Sequence, residues 1–146
     1  MKNLIYILAL LGLSGCEFLN DDNEVVNVAH QELTAKNRYT INSCYDEIVE
    51  YRFYDDTYRK IFYKDDDFKE IEKEINDKVN YKDSLNIELY QNGLILDCSV
   101  KYKENDIIIL YCINQEFKNK EGYYHIQRTL YPTKEEAIKH SDEDCN

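Results

Sequence analysis

The side chains that could act as nucleophiles, bases or metal ligands lack the spacing that such chemistry requires. No serine lies in a Gly-x-Ser-x-Gly nucleophile elbow, and no Cys-x-x-Cys pair or Cys/His cluster has the spacing of a redox or zinc site. Glu136 and His140 could share one helix face as weak metal ligands, but an acidic C-terminal tail is the better interpretation. Carboxylates are numerous, so a carboxylate hydrolase stays a minor alternative. The sequence predicts neither an enzyme nor a metal or cofactor site.

Tyrosine and carboxylate side chains are interleaved over residues 41–63, and this combination is typical of a binding surface. Tyrosine joins a large apolar ring to a polar tip and is enriched at protein interfaces, while carboxylates attract a basic partner. The candidate partner-binding residues are Glu50, Tyr51, Tyr54, Asp55, Asp56 and Tyr58. The open alternative is that these tyrosines replace phenylalanine in a small core.

The overall charge excludes one large class of partner. The 146 residues include 29 acidic and 18 basic side chains, for a formal net charge of -11. Nucleic acids are held mainly by lysine and arginine contacts to phosphates, so a general DNA-binding or RNA-binding role is excluded. Hydrophobic residues make up 43% of the chain, which is enough for the core of one folded domain.

The first sixteen residues have the pattern of a secretory signal. Lys2 precedes an apolar run over residues 4–13, which is shorter than the roughly 20 residues that a membrane-spanning helix needs. The tetrapeptide Leu13-Ser14-Gly15-Cys16 resembles the lipobox of bacterial lipoproteins. The resemblance implies cleavage before Cys16, palmitate and other acyl chains on Cys16, and an anchor in a bilayer. In lipoproteins of this kind, an aspartate directly after the cysteine signals retention in the inner membrane. Glu17 stands at that position, which implies that the protein is anchored in the outer membrane and faces the periplasm.

Four cysteines remain for disulfide bonds if Cys16 carries lipid: Cys44, Cys98, Cys112 and Cys145. An even number in an oxidising compartment predicts two disulfides, with three possible connectivities. The predicted organisation is a signal peptide over residues 1–15, a lipidated N-terminus and tether over 16–24, and one disulfide-stapled domain over 25–146.

The first half of that domain has apolar residues at helical spacing. A helix is predicted over residues 25–36, where the pattern would also fit a strand. The recurring apolar residues of 41–62 predict a second helix, which Asp55 and Asp56 interrupt. Asp67 and Glu70 resemble a capping box, and the stripe that follows predicts a highly charged third helix over 68–79.

From Ser84 onward the apolar period changes to two, which is typical of strands. Four strands are predicted, over residues 85–90, 94–102, 107–113 and 123–131. Thr133 and Glu136 form a capping box for a helix that ends near His140. The predicted fold class is therefore α+β, with N-terminal helices, a four-stranded antiparallel β-meander and a short C-terminal helix.

The length of one loop predicts a cysteine pairing. If residues 104–106 form a three-residue loop, residues whose numbers sum to 210 face one another, which places Cys98 opposite Cys112. Opposed residues of this kind have Cα atoms about 4.5 Å apart, at the short end of the range for disulfides. If Cys98 pairs with Cys112, Cys44 and Cys145 are left to form the second disulfide. A loop that is one residue longer or shorter would remove the argument for both disulfides.

Two classes of function fit these features. The acidity, the anchor and the lack of a catalytic motif favour a periplasm-facing lipoprotein that binds and neutralises a basic protein. Such a protein would be an immunity protein against a periplasm-acting toxin, or an inhibitor of a cell-wall-degrading enzyme such as a cationic lysozyme. The alternative is an envelope lipoprotein that binds a small ligand or assists envelope assembly, and an apolar pocket between helix and sheet would indicate it.

Overall fold

Eight antiparallel strands form the body of the protein in the computed structural model, which describes residues 27–43, 46–117 and 125–141. The strands are β1 (Arg38–Asn42), β2 (Glu47–Phe53), β3 (Thr57–Tyr63), β4 (Ile71–Tyr81), β5 (Asn86–Gln91), β6 (Leu94–Lys103), β7 (Ile107–Asn114) and β8 (His125–Leu130). Helix α1 (Val28–Thr34) precedes them and helix α2 (Lys134–Lys139) follows them. No helix in the described ranges is long and apolar enough to cross a membrane.

The sheet curls into a nearly closed, barrel-like shape. Every strand pairs with its neighbours in the sequence, in the order β1 to β8. Tyr39 of β1 and Tyr131, which follows β8, exchange two backbone hydrogen bonds of 2.9 and 2.8 Å. Strand β4 pairs with β3 along residues 71–78, but it meets β5 only along residues 79–81. The first and last strands therefore meet, while the first part of β4 has one edge that no described strand covers.

Inward-facing side chains fill the sheet with one apolar core. Its largest members include Tyr51, Phe53, Tyr58, Phe62, Ile87, Leu89, Leu96, Ile108, Leu110 and Leu130. Ala29 and Leu33 of α1 are fully buried against this core and close one end of the sheet. A smaller cluster on the outside packs Ala137 of α2 against Ile41, Ile61, Tyr63, Phe68 and Tyr131.

The predicted α+β fold class is wrong, and the error arises in the first half of the domain. Residues 41–62, predicted as a helix, form the end of β1, all of β2 and most of β3, and residues 68–79 contribute most of β4. Apolar side chains occupy both faces of these strands, because Tyr51 points into the core while Ile48 and Ile61 belong to the outer cluster beneath α2. Apolar residues on both faces imitate helical spacing, and the domain is mostly β rather than α+β.

The strands predicted after Ser84 are confirmed as β5 to β8, although they are half of an eight-stranded sheet rather than a complete one. The predicted helix over residues 25–36 is confirmed as the shorter α1. Thr133 is confirmed as the N-cap of α2, since its Oγ1 accepts a hydrogen bond of 3.2 Å from the Glu136 backbone N–H. The first sixteen residues, with the predicted signal and Cys16, and the tether that follows lie outside the described residues.

The predicted disulfide between Cys98 and Cys112 is confirmed. The two residues are directly paired between β6 and β7, with their Cα atoms 4.0 Å apart. Both are buried in the core. Cys44 and Cys145 lie outside the described residues, so their pairing stays a prediction.

Removal of this disulfide is expected to lower the free energy of unfolding by about 3 kcal/mol. The crosslinked residues are 14 apart in sequence, and closing a loop of about this length restricts the unfolded chain by that amount. The measurement is urea denaturation of the Cys98→Ala/Cys112→Ala chain beside the unsubstituted chain, followed by tyrosine fluorescence. Equal denaturation midpoints and slopes would contradict a stabilising crosslink.

Candidate protein-binding surface

Helix α1 and three hairpin turns meet at one end of the sheet, called here the helix-capped end. The turns join β2 to β3 (residues 54–56), β4 to β5 (82–85) and β6 to β7 (104–106). Helix α1 has seven residues, too few to be stable alone, so contacts with the sheet must hold it. Asn27 caps its N-terminus by accepting a 3.0 Å hydrogen bond from the His30 backbone, and the Asn27 amide lies 3.5 Å from the Tyr81 carbonyl oxygen.

Side chains from α1 and the strands hold the turns in place. The Tyr81 hydroxyl donates a 2.9 Å hydrogen bond to the carbonyl oxygen of Tyr54, and His30 Nε2 lies 3.0 Å from Asp55 Oδ1. Burial and the charge of Asp55 raise the pKa of Tyr81, which keeps its phenol protonated as a donor. The Tyr102 hydroxyl likewise donates to the Ser84 carbonyl oxygen at 3.1 Å. The exposed side chains of these turns are therefore presented on a fixed backbone.

Arg38 is the fully buried cation beneath the helix-capped end, with 0% of its surface exposed. Its Nη1 donates to the Asp106 carbonyl oxygen at 2.6 Å, and its Nη2 donates to Glu32 O at 2.9 Å and to Asp106 Oδ1 at 3.1 Å. Burial acts to raise the pKa of Asp106, but hydrogen bonds and charge from Lys36 and Arg38 outweigh it and lower that pKa. The oxygens of Asp106 are therefore already bonded to Arg38 and Lys36, and the residue joins α1 to the β6–β7 turn through Arg38.

Exposed apolar side chains lie among carboxylates at this end. The exposed fraction is 47% for Tyr54, 55% for Leu85 and 38% for Val28. These residues belong to the β2–β3 turn, the β4–β5 turn and α1, respectively. Six acidic residues belong to α1 and the three turns: Glu32, Asp55, Asp56, Asp83, Glu104 and Asp106. Four basic residues lie beside them, Lys36, Arg38, Lys82 and Lys103, and the first two pair with Asp106. Of the three exposed apolar residues, Tyr54 is of a type enriched at protein interfaces, whose rims are polar.

The structure divides the six residues predicted to bind a partner. Tyr54, Asp55 and Asp56 form the exposed β2–β3 turn, as a binding surface requires. Tyr51 and Tyr58 are each only 1% exposed and belong to the core, where the Tyr58 hydroxyl donates to the Tyr90 carbonyl oxygen at 3.1 Å. The interpretation of all six as one surface is therefore not supported, and the alternative that tyrosine builds the core holds for Tyr51 and Tyr58.

Glu50, the sixth of these residues, is 2% exposed on the outer face of β2. Its carboxylate accepts hydrogen bonds from the Tyr63 hydroxyl at 2.7 Å, from the Asn37 amide at 2.8 Å and from Arg52 Nε at 2.6 Å. Burial, together with the hydrogen bond and charge of Glu50, raises the pKa of Tyr63 to about 12. Glu50 is a structural acceptor rather than a contact for a partner.

Sequence reasoning missed the residues of α1 and the β4–β5 turn that complete this surface. Val28 and Leu85 are distant in sequence but lie close together in the fold. The Val28 backbone N–H is 3.4 Å from the hydroxyl oxygen of Ser84, the residue before Leu85. The polar run of residues 82–84, where the apolar period changes, was the available signal for an exposed turn.

A second polar cluster lies inside the sheet. Lys60 is buried, its Nζ is 4.0 Å from Asp77 Oδ2, and the same atom lies 5.7 Å from the centre of the Tyr58 ring. Burial and the charge of Arg128 lower the pKa of Lys60. Arg128 itself donates to the Tyr51 hydroxyl across the core. These mutual contacts are those of a structural charge network.

The helix-capped end also holds a small cleft of about 220 Å³. Val28, Glu32, Tyr102, Lys103, Asp106, Ile107 and Ile108 line it. Pockets for small molecules usually hold roughly 300–1,000 Å³ and are mainly apolar, so this cleft is small and rich in charge by comparison. The part of the chain that the structure describes contains no group of three residues suited to a metal ion.

Comparison with known proteins finds no relative: no family model, curated protein or solved structure matches the chain. The function is therefore inferred from the helix-capped end and from the pattern of the first sixteen residues.

Proposed function

We propose that this protein is a lipid-anchored, periplasm-facing protein of the cell envelope that binds and neutralises a basic protein. The partner would be a toxin that acts in the periplasm or a cell-wall-degrading enzyme. The observation that carries the proposal is the helix-capped end, where exposed Tyr54 and Leu85 lie among carboxylates on three fixed turns. Asp56 and Glu104, both exposed, form no ion pair with another described residue and can pair with a partner's cations.

The proposed mechanism is occlusion of a basic cleft, without catalysis by this chain. Carboxylates around the helix-capped end would steer a cationic partner and raise its association rate, an effect that salt suppresses. Tyr54 would supply the buried contact that slows dissociation, because aromatic side chains near the centre of an interface carry much of its binding energy. Fixed turns favour tight binding, since little backbone freedom is lost on association.

The anchor is proposed from the lipobox pattern at Cys16. Acylation of that residue would hold the domain at the outer membrane, with residues 17–24 as an acidic tether between lipid and sheet. A neutralising protein at this place would meet its partner as the partner enters the periplasm.

Charge reversal at the β2–β3 turn is expected to slow association with a basic partner by about tenfold at low salt. The variant is Asp55→Lys/Asp56→Lys, and the probes are a cationic lysozyme and any secreted basic toxin encoded beside this gene. Asp65→Lys/Asp66→Lys is the matched control, because it makes the same charge change in the β3–β4 loop, at the other end of the sheet. The measurement is the association rate by surface plasmon resonance at two ionic strengths.

Protection of cells tests the function itself. The toxin, directed to the periplasm, should kill cells that lack this chain and spare cells that make it. Equal killing in both strains, together with no binding to lysozyme, would refute neutralisation. Equal slowing by the two charge reversals would leave neutralisation intact and remove the β2–β3 turn from the interface.

A further inference from the structure

The polar cluster inside the sheet lies beside a gap between two strands, called here the β4–β5 opening. Strand β4 pairs with β5 only along residues 79–81, and the last residues of β5, Tyr90 and Gln91, pair with β6 alone. The Tyr58 hydroxyl, from β3, donates to the Tyr90 carbonyl oxygen at 3.1 Å. Asp77, which faces Tyr58 on β4, has a side chain that is 19% exposed although its Oδ2 atom is buried. The cluster therefore extends from the interior of the sheet to solvent at Asp77.

The contacts within this cluster leave a buried ammonium without a hydrogen bond. The Lys60 side chain is only 4% exposed, and its one contact with a carboxylate of the described residues is with Asp77 Oδ2, at 4.0 Å. That distance is too long for a hydrogen bond, and Asp77 Oδ2 has no hydrogen-bond partner in the described ranges either. Burying a charged donor without an acceptor is costly, so a water molecule or a ligand is expected to complete the site.

The charges of the cluster favour an anion as the missing acceptor. Two cations, Arg128 and Lys73, lower the pKa of Lys60, and two carboxylates, Asp77 and Glu47, raise it. Burial has the largest effect on this pKa, and Arg128 lowers it by more than Asp77 raises it. With Lys60 included, three cations stand against two carboxylates, an excess of one positive charge in a chain of net charge -11. An anion would remove this excess, which water cannot do.

The neighbours of Lys60 define the chemistry of such an anion. Arg128 donates to the Tyr51 hydroxyl, and its guanidinium has five donors, so further donors are available. Lys60 pairs directly with Tyr51 between β2 and β3, and its Nζ lies 5.7 Å from the centre of the Tyr58 ring. Guanidinium and ammonium groups form strong, charge-assisted hydrogen bonds with carboxylate and phosphate oxygens. The tyrosine rings offer apolar contact to the body of a ligand.

We propose that the polar cluster binds an oxyanion, the carboxylate or phosphate group of a small ligand, which enters at the β4–β5 opening and accepts hydrogen bonds from Lys60 and Arg128. Asp77 at the opening would repel a second negative charge, so a carboxylate is favoured over a doubly charged phosphate. The site is separate from the helix-capped end and does not depend on the function proposed for that surface.

Calorimetric titration of the full-length chain tests the site with two probes, sodium benzoate and sodium phosphate. Both are titrated at constant ionic strength in sodium chloride, so that screening does not change. Benzoate should bind one site per chain, and phosphate should bind more weakly. At ten times its dissociation constant, benzoate should raise Tm by about 3–6 °C, because it binds only the folded chain. Tighter binding of phosphate would support the site and identify phosphate as its ligand group, whereas no binding of either probe would overturn the proposal.

Two lysine variants locate the bound anion. Lys60→Met removes the ammonium and keeps most of the volume, a change that folds usually tolerate at a buried charge, and it should weaken benzoate binding at least tenfold. Lys64→Met is the matched control, because it makes the same charge change at an exposed site in the β3–β4 loop, and it should leave the affinity unchanged. If Lys60→Met fails to fold, Arg128→Met removes the other donor and gives the same comparison. Equal affinities of the cluster variant and the control would contradict binding at this cluster.

Discussion

Replacing Arg38 by alanine is expected to lower the free energy of unfolding by about 3–5 kcal/mol. Arg38 is completely buried, and its guanidinium joins the Glu32 carbonyl oxygen of α1 to the Asp106 carbonyl and carboxylate oxygens of the β6–β7 turn. Its loss would leave these acceptors facing an empty space. A typical domain is stable by only about 5–15 kcal/mol, so this one side chain would account for a large part of the total.

Urea denaturation measures this loss in the free energy of unfolding, and two further variants identify its cause. Arg38→Met keeps most of the side-chain volume, so it should recover the cost of the cavity but not the cost of the unpaired acceptors. Arg59→Ala removes an arginine that pairs with Glu74 while both side chains are about one-third exposed, and it should cost less than about 1 kcal/mol. Equal losses for Arg38→Ala and Arg59→Ala would contradict a special role for the buried cation. Hydrogen exchange should show α1 as the first element to open.

Replacing Glu50 by alanine is expected to cost about 3 kcal/mol, because it leaves two donors unpaired in a buried site. The donors are the Tyr63 hydroxyl and the Asn37 amide, whereas Arg52 is exposed enough to turn toward water. Glu50→Gln is expected to lower the free energy of unfolding by less than Glu50→Ala, because glutamine keeps the shape of the side chain and one acceptor oxygen. Thermal or urea denaturation of both variants provides the comparison, and an alanine variant as stable as the glutamine variant would contradict the structural assignment.

The pKa of Tyr63 gives a second measurement on the same pair. This pKa is raised from 10.0 to about 12, so the stabilisation from its neutral phenol is present below pH 10 and is lost as the pH rises toward 12. Glu50→Gln removes the negative charge and should lower the pKa of Tyr63 toward 10. Tyrosinate absorbance, taken as the difference from the Tyr63→Phe chain, measures the shift. An unchanged titration would show that burial alone sets the pKa of Tyr63.

The second half of the fold could be predicted because its signals are local. In β6, inward residues such as Val100 alternate with outward polar ones, β7 is a short continuous apolar run, and the turn at residues 104–106 sets which residues face each other. The Asn92-Gly93 turn adds two positive φ angles, 52° and 79°, which are the signature of a tight hairpin. Both signals act within a few residues, so the sequence alone can show them.

The first half could not be predicted in the same way, because its strands mix apolar and polar residues on both faces and carry a charge inside. Lys60 occupies an inward position of β3 between Tyr58 and Phe62, which breaks the alternation expected of a strand. In β4, a bulge opposite Phe62 and Tyr63 shifts the register. The aromatic content of residues 51–63 was the stronger signal, since aromatic side chains favour strands.

The candidate surface was predicted in part for a related reason. Asp55 and Asp56 interrupt an apolar pattern, and such an interruption indicates exposure without any knowledge of the fold. Val28 and Leu85 join them only because α1 packs across the ends of strands that are distant in sequence. A surface assembled from separate segments leaves no spacing for sequence analysis to find.

The order of the strands has a consequence for how the chain acquires its structure. Since each strand pairs with the one before it, each pairing closes only a short loop, at a small cost in conformational entropy. Strands can therefore join the growing sheet in the order in which a newly made chain presents them. Contacts between the two ends of the domain, such as the pairing of Tyr39 with Tyr131 and the packing of Ala137 against Ile41, must wait until the last strand and α2 are available.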